Sequence, residues 1–415
     1  MSQAKPANET SKGRILVVDD EALNRDLLSR RLIRKGFTVE CADGAASADE
    51  QLQEASFDLI LLDIMMPDVD GFEYLESLRK RWDAMQLPVI MATAKDESED
   101  IVRALELGAN DYVTKPLDFK VVQARVNTQL RLKQTTEQLA EAHRLMKEDL
   151  QRAARFQQSQ LPPANLTVPG CRFAWRYLPC DALAGDFLSV IRLDDSRTAF
   201  YVLDVCGHGT PAALLSASIG RSLSVTQDES SVVTRFTRGG LIRHSRTEVV
   251  SPAEVTRRLN RQFDHENEHG KYFTMAYMIL DVSSGALEFT LAGHPAQILL
   301  PRDKQATLLE CDGVPVGLLA DDDVAPDSFQ EQTTTLNPGD RIYLFSDGVV
   351  EAENGDNEQL TVVRLREIVD QVRTLSLDES VDRVLDAVRE FCGDRAFDDD
   401  LSLLAMEFDG NSKEA

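Results

Sequence analysis

Two apolar runs far apart in the chain each deliver an aspartate beside glycine. Residues 198–203 lead into Asp204-Val205-Cys206-Gly207-His208-Gly209, and residues 341–345 lead into Ser346-Asp347-Gly348-Val349-Val350-Glu351. Runs of this length read as buried strands, and the glycines let backbone approach a small ligand. Asp186, within Gly185-Asp186-Phe187, and the triplet Asp398-Asp399-Asp400 add further carboxylates. Carboxylates converging from separate strand ends suit hard divalent cations such as magnesium or manganese. A fold that uses them must bring the ends of several distant strands to one place.

At 415 residues the chain exceeds one ordinary core, so two or three domains are expected. A net charge of −25 disfavours nucleic acid and anionic membrane surfaces as partners, and the short basic stretch 235–246 does not reverse this. No apolar stretch is long enough to span a bilayer, and the polar residues 1–12 read as a flexible tail without a signal-peptide core. A cytoplasmic location is expected. The six cysteines contain no Cys-x-x-Cys, which fits reduced structural thiols.

The first domain is expected over residues 13–130. The run 14–18 ends in Asp19-Asp20, and 57–63 ends in Asp63, followed by Met65-Met66-Pro67 and Asp70-Gly71. Residues 88–93 end in Thr93, and a fourth strand end is Tyr112-Val113-Thr114-Lys115-Pro116. Leu23, Leu27, Leu28 and Leu32 recur at helical spacing before Gly36. Strands alternating with helices imply an α/β doubly wound parallel sheet with its site at the carboxyl ends of the strands. Alone, a strand-end aspartate is usually a helix cap or turn residue; the ordered set is far more specific.

These residues resemble a response-regulator receiver domain. The resemblance implies a magnesium site at Asp19, Asp20, Asp63 and the backbone of Met65. It makes Asp63 the phosphoacceptor, Thr93 and Tyr112 the switch residues, and Lys115 the neutralising cation. It also implies a cognate histidine kinase or phosphotransfer protein. The chemistry agrees: an aspartate attacks phosphorus only when the incoming negative charge is neutralised.

Residues 119–161 are helical in pattern, without internal glycine or proline, until Pro162-Pro163. Leu132, Leu139, Met146 and Ala153 recur every seven residues, whereas the companion positions Gln129, Thr136, His143 and Leu150 are mostly polar. The expectation is a helical, coiled-coil-like linker over 131–163 that pairs two copies of the chain; a solvated spacer is the alternative.

From 170 to 410 strand and helix signals mix without regular crossovers, which predicts an α+β layered sandwich. Here the chain resembles the PPM family of metal-dependent serine/threonine phosphatases, in its SpoIIE/RsbU-like branch. The segments that carry this are Gly185-Asp186, Asp204-Val205, Ala292-Gly293-His294-Pro295, Val314-Pro315-Val316-Gly317, Ser346-Asp347-Gly348 and Asp399-Asp400-Leu401-Ser402-Leu403; residues 154–162 resemble the lead into that domain. The resemblance implies two manganese or magnesium ions held by Asp186, Asp204, the backbone of Val205, Asp347 and Asp399, with Asp400 the alternative to Asp399. Two such ions about 3.5–4 Å apart lower the pKa of a bridging water toward ~7, so hydroxide attacks and no protein nucleophile is needed. Ala184, Cys206, Leu291 and Ser402 depart from the branch's common residues and spare the carboxylates. Cys206 lacks the downstream arginine of a cysteine phosphatase and reads as structural. His208 and His294 read as turn and packing residues, with proton transfer as the alternative.

The polar segment 225–250, with Arg235, Arg238, Arg243 and Arg246, reads as disordered, or else as a mobile flap. The combined expectation is a response regulator whose output is a protein phosphatase. By resemblance, its substrate is a phosphorylated STAS-type anti-sigma factor antagonist. The rivals are a non-catalytic pseudo-phosphatase that binds a partner, a DNA-binding regulator and a nucleotide cyclase; no metal carboxylate is lost and no basic helix-turn-helix is evident.

Overall fold

The structure, a computed structural model, describes residues 11–94, 98–163, 166, 168–207, 209–225, 231–237, 246–266 and 270–410. It divides into two units, residues 1–147 and 148–415. In the first, strands and helices alternate: β1 (Arg14–Val18), α1 (Ala22–Ile33), β2 (Thr38–Ala42), α2 (Ala45–Glu54), β3 (Leu59–Asp63), α3 (Gly71–Arg79), β4 (Val89–Ala94), α4 (Ser98–Glu106), β5 (Asp111–Lys115) and α5 (Phe119–Ser159). The sheet is parallel, in the order β2-β1-β3-β4-β5. Continuous apolar runs in β1 and β3 suit strands covered on both faces. Leu16, Ile60 and Leu62 pack with Phe72 and Leu75 on one side. Ile15, Leu59 and Ile90 pack with Leu28, Val122 and Val126 on the other. Because the strand order reverses between β1 and β3, the crevice outside their carboxyl ends is where a ligand belongs.

The opening turns of α5 belong to this unit. Lys133, 9% exposed, donates to the Phe57 carbonyl at 3.4 Å and pairs with Asp58 at 3.2 Å. Along the seam, Leu132, Leu139 and Met146 are 51%, 69% and 63% exposed. Among the described residues no helix is long and apolar enough to cross a membrane.

The second unit comprises β6 (Cys171–Leu178), β7 (Phe187–Arg192), β8 (Arg197–Val205), α6 (Thr210–Ser222), β9 (Thr234–Thr237), β10 (Arg246–Val249), α7 (Pro252–Glu266), β11 (Phe273–Asp281), β12 (Ala286–Ala292), β13 (Gln297–Leu300), β14 (Thr307–Leu309), β15 (Gln332–Thr335), β16 (Arg341–Phe345), α8 (Asp347–Val350), α9 (Val362–Gln371), α10 (Leu377–Cys392) and β17 (Leu401–Phe408). Two antiparallel five-stranded sheets form, β15-β12-β11-β8-β7 and β14-β13-β16-β17-β6. Their inner faces share one core: Phe200 and Val202 of the first sheet cluster with Ile342, Leu344 and Leu404 of the second. The Phe173 and Phe200 rings meet edge to face at 5.5 Å. Helices α6 and α7 cover the first sheet, and α9 and α10 cover the second. The α+β layered sandwich is therefore present.

The expected disorder over 225–250 is corrected in part. Residues 234–237 and 246–249 pair as an antiparallel ribbon, and Val232, Val233 and Val250 are buried in the core. Those three valines gain more from burial than a polar average over the segment suggests. Arg238 and Arg243 lie outside the described residues, as do the tail 1–10 and His208.

Candidate functional site

Two carboxylate centres stand at strand ends, one in each unit. In the first, β1 delivers Asp19 and Asp20, and β3 delivers Asp63; one carboxylate oxygen from each lies within 4.8 Å of the others. Asp19 and Asp63 are buried. Lys115, at the end of β5, places Nζ 2.7 Å from Asp63 Oδ2 and 3.4 Å from Asp19 Oδ2. Burial raises the Asp63 carboxyl above its ordinary range despite the opposing pull of Lys115. Asp63 Oδ1 is buried and has no hydrogen-bond partner. A hard cation satisfies such an oxygen, so the residues present fit a magnesium ion.

The surrounding residues shape this pocket. Asp70 caps α3 by accepting from the Glu73 amide at 2.8 Å. A Cβ on Gly71 would stand 2.2 Å from the Asp63 carbonyl, so glycine is what lets α3 start against the end of β3. Thr93 is buried at the end of β4, and Tyr112, half-buried on β5, lies under the Arg125 guanidinium at 5.0 Å. Met65 is 74% exposed beside the site.

The second centre takes carboxylates from both sheets. Asp186 precedes β7 and Asp204 lies on β8, while Asp347 follows β16 and Asp399 lies just before β17. Burial, then the charges of Asp347 and Asp399, push the Asp204 carboxyl up to about 8. Burial, then Asp399, push Asp347 up to about 6. Asp186 is 1% exposed and is raised well above the ordinary range by burial and then by Asp204, against the hydroxyls of Ser346 and Ser402. Its Oδ2 is buried without a hydrogen-bond partner. An all-oxygen donor set, mutual repulsion and an unpartnered buried oxygen fit divalent cations.

Glycines let these strand ends close. A Cβ on Gly185 would lie 2.9 Å from the Val205 carbonyl oxygen, and one on Gly348 would lie 2.2 Å from the Asp400 carbonyl oxygen. The adjacent aspartates do different work. Asp400, 3% exposed, accepts from the Cys180 amide at 2.8 Å and the Gly185 amide at 2.7 Å, one with each oxygen. It therefore pins the loop ahead of Asp186. Asp399 is exposed and its charge is felt by both Asp204 and Asp347.

Sequence reasoning gave no role at this site to Gln157 or Cys180, and read Asp400 only as the alternative ligand to Asp399. Gln157, in the last turns of α5, is 5% exposed; its Nε2 donates to the Ala184 carbonyl at 2.7 Å and its Oε1 accepts from the Ala184 amide at 3.3 Å. Nothing in the sequence sets it apart from Gln158 and Gln160. The Cys180 thiol lies within 4.8 Å of carboxylate oxygens of Asp399 and Asp400, and desolvation, then Asp400, push it up to about 12. Cys206 is half-buried, with its amide donating to the Tyr272 carbonyl at 3.0 Å and its carbonyl accepting from Lys271 Nζ at 3.1 Å.

The raised carboxyls give a pH signature. A raised folded-state value means that the fold holds protons more tightly than the unfolded chain, so stability falls as pH rises. In chelator, the decline from these groups is expected to begin near pH ~4, the ordinary carboxyl range. The share due to Asp204 should end near its value of about 8. A divalent cation bound there would displace the protons, so the stabilising effect of manganese is expected to be larger at pH 8 than at pH 6, the region of Asp347. Thermal melts with and without manganese measure this; equal gains at both pH values would contradict it.

Residues 194–409 match the family model for stage II sporulation protein E, and residues 15–127 match that for the response regulator receiver domain. Asp186 lies just ahead of the first of these matches. Over 118 residues the chain is 45% identical to the regulatory protein VanRc of Enterococcus gallinarum, which is 28% of this chain and 50% of that protein. The chain thus spans about half the length of that curated relative. Among solved structures, the SiaA-PP2C domain of Pseudomonas aeruginosa shares the fold: TM-score 0.53 at 17% identity, covering 65% of this chain and 100% of that one. The RsbU and RsbW domains of Rv1364c from Mycobacterium tuberculosis match at TM-score 0.46 and 24% identity, covering 61% of this chain and 62% of that one.

Proposed function

The chain belongs to the stage II sporulation protein E family and carries a receiver domain ahead of its PP2C-type phosphatase domain; from that premise we propose that it is a metal-dependent serine/threonine protein phosphatase controlled by phosphorylation of Asp63. The observation that carries the catalytic part is the buried, unpartnered Oδ2 of Asp186 among carboxylates drawn from both sheets. Asp186, Asp204, the Val205 carbonyl, Asp347 and Asp399 hold the divalent cations, while Asp400 is committed to backbone amides. When bound, the cations acidify water and neutralise phosphoryl oxygens. The chain's own residues fix the donor set.

In the receiver domain, Asp19, Asp20, Asp63 and the Met65 carbonyl hold magnesium. An Asp63 oxygen forms the new bond to phosphorus as the bond to the donor breaks, and Lys115 offsets the charge that arrives. Thr93 then meets the phosphoryl oxygens, and Tyr112 follows it. A receiver domain implies a kinase partner; the histidine kinase class and a phosphorylated STAS-type anti-sigma factor antagonist as substrate follow from the family resemblance. The test is release of phosphate from a phosphoserine protein of that type by the full chain in manganese; no release over a wide range of manganese would sink the assignment.

The exposed seam Leu132, Leu139 and Met146 supports pairing of the linker with a second copy of the chain. Gln157 supports a path from that linker to catalysis, since it grips the peptide of Ala184 two residues before Asp186. A bias of ~1–3 kcal/mol between two arrangements changes a population by about 5- to 150-fold. Replacing Leu139 and Met146 together with lysine is therefore expected to weaken dimerisation and to make turnover insensitive to Asp63 phosphorylation. Sedimentation alongside turnover checks it; a variant that stays dimeric and responsive would argue for a mere spacer.

A further inference from the structure

His294 is 7% exposed and stands between the two sheets of the second unit. Its Nε2 lies 3.0 Å from the carbonyl oxygen of Phe345. A carbonyl only accepts, so Nε2 carries the proton. Burial pushes the imidazole down to about 4, so the ring is neutral near pH 7 and Nδ1 keeps a lone pair. Thr274 Oγ1 lies 2.7 Å from Nδ1 and donates to it. Both nitrogens are therefore spent on fixed partners, and His294 has no proton to exchange at the metal centre.

The two partners locate the effect. Thr274 is directly opposite Asp204 in the β8–β11 ladder. Phe345 ends β16, two residues before Asp347. The Phe345 peptide is also held within its own sheet, where its amide donates to Gln297 Oε1 at 2.7 Å. The ring itself follows β12 of the first sheet, and its turn leaves no freedom. Gly293 has φ +64°, and a Cβ there would stand 2.4 Å from Pro315 Cγ. Packed sheets are ~10 Å apart, whereas a metal pair tolerates only roughly 0.2 Å in ligand distance.

We infer that the chain Thr274–His294–Phe345 is a strut that fixes the strand bearing Asp204 against the strand bearing Asp347, making Thr274 and His294 positioning residues for the metal pair. The inference rests on the proposed metal centre and adds the residues that set its spacing. Partners that orient metal ligands typically contribute 10- to 100-fold in metal affinity. The strut does this at one remove, by holding two ligand-bearing strands in register.

The test is manganese binding by calorimetry to the full chain, without substrate, in an Asp19→Asn/Asp20→Asn background that silences the receiver centre. Thr274→Val, which keeps the shape and removes the donor, is expected to weaken manganese binding about 10-fold or more. Thr274→Ser, which restores the hydroxyl, should stay within about 2-fold of the parent, and excess manganese should restore turnover to Thr274→Val. His294→Phe should behave like Thr274→Val; if it does not fold, the Thr274→Val and Thr274→Ser pair is decisive by itself. A strut with only a structural role would lower the melting temperature and leave manganese affinity of the folded protein unchanged, and that result overturns the inference. Asp347→Asn in the same background separates the two levels: unchanged manganese binding there would refute the metal centre itself, whatever the strut does.

Discussion

Asp204→Asn is expected to lower manganese-dependent hydrolysis of a phosphoserine protein by at least about 100-fold, the scale on which a positioned charge acts in a closed site. Asp204 lies on β8 and its carboxyl responds to Asp347 and Asp399 across the gap between the sheets. Asparagine keeps the shape and removes the charge that a divalent cation requires. Above pH ~8, where Asp204 is ionised, the same substitution relieves repulsion among buried carboxylates, so there the variant should melt no lower than the parent in chelator. Loss of activity with an unchanged or raised melting temperature is therefore the expected pairing. Full activity in the folded variant would remove Asp204 from the centre.

Asp63→Asn is expected to abolish the gain of one phosphoryl group when the chain is incubated with acetyl phosphate and magnesium. Intact-mass analysis reads the result directly. The expectation rests on Asp63 Oδ1, buried without a hydrogen-bond partner, and on Lys115 at 2.7 Å from the other oxygen. Asp20→Asn should slow the gain without eliminating the acceptor, because Asp20 contributes a carboxylate oxygen to the cluster proposed to hold magnesium. A phosphoryl group that still appears on Asp63→Asn would move the acceptor elsewhere.

The parallel sheet was legible because β1, β3 and β4 are continuous apolar runs ending in polar residues at their carboxyl ends. β2 was not, since Thr38-Val39-Glu40-Cys41-Ala42 is a half-exposed edge with no such run. In the second unit, Asp204 and Asp347 announced themselves by the strands that precede them. Asp186 was marked only by its Gly185-Asp186-Phe187 context, since it comes before its strand, and the family resemblance gave it a role. The helix α10 also went unread, although Ser376 and Glu379 form a capping box at its start. Asp399 and Asp400 are adjacent and chemically identical in sequence. Only the fold shows that both oxygens of Asp400 are taken by amides of residues 180 and 185. Likewise no spacing rule links Thr274, His294 and Phe345, because they meet across two sheets. Local pattern reports strands and their ends; which ends meet is a property of the packed sandwich.

One assay joins the two halves: phosphate release from a phosphoserine protein by the full chain, in manganese, before and after phosphorylation with acetyl phosphate. The expected outcome is release that stops in excess chelator, a rate that differs between the two phosphorylation states, and no such difference in Asp63→Asn. Release that survives chelation, or identical rates in both states of the parent chain, would contradict a metal-dependent phosphatase governed by Asp63.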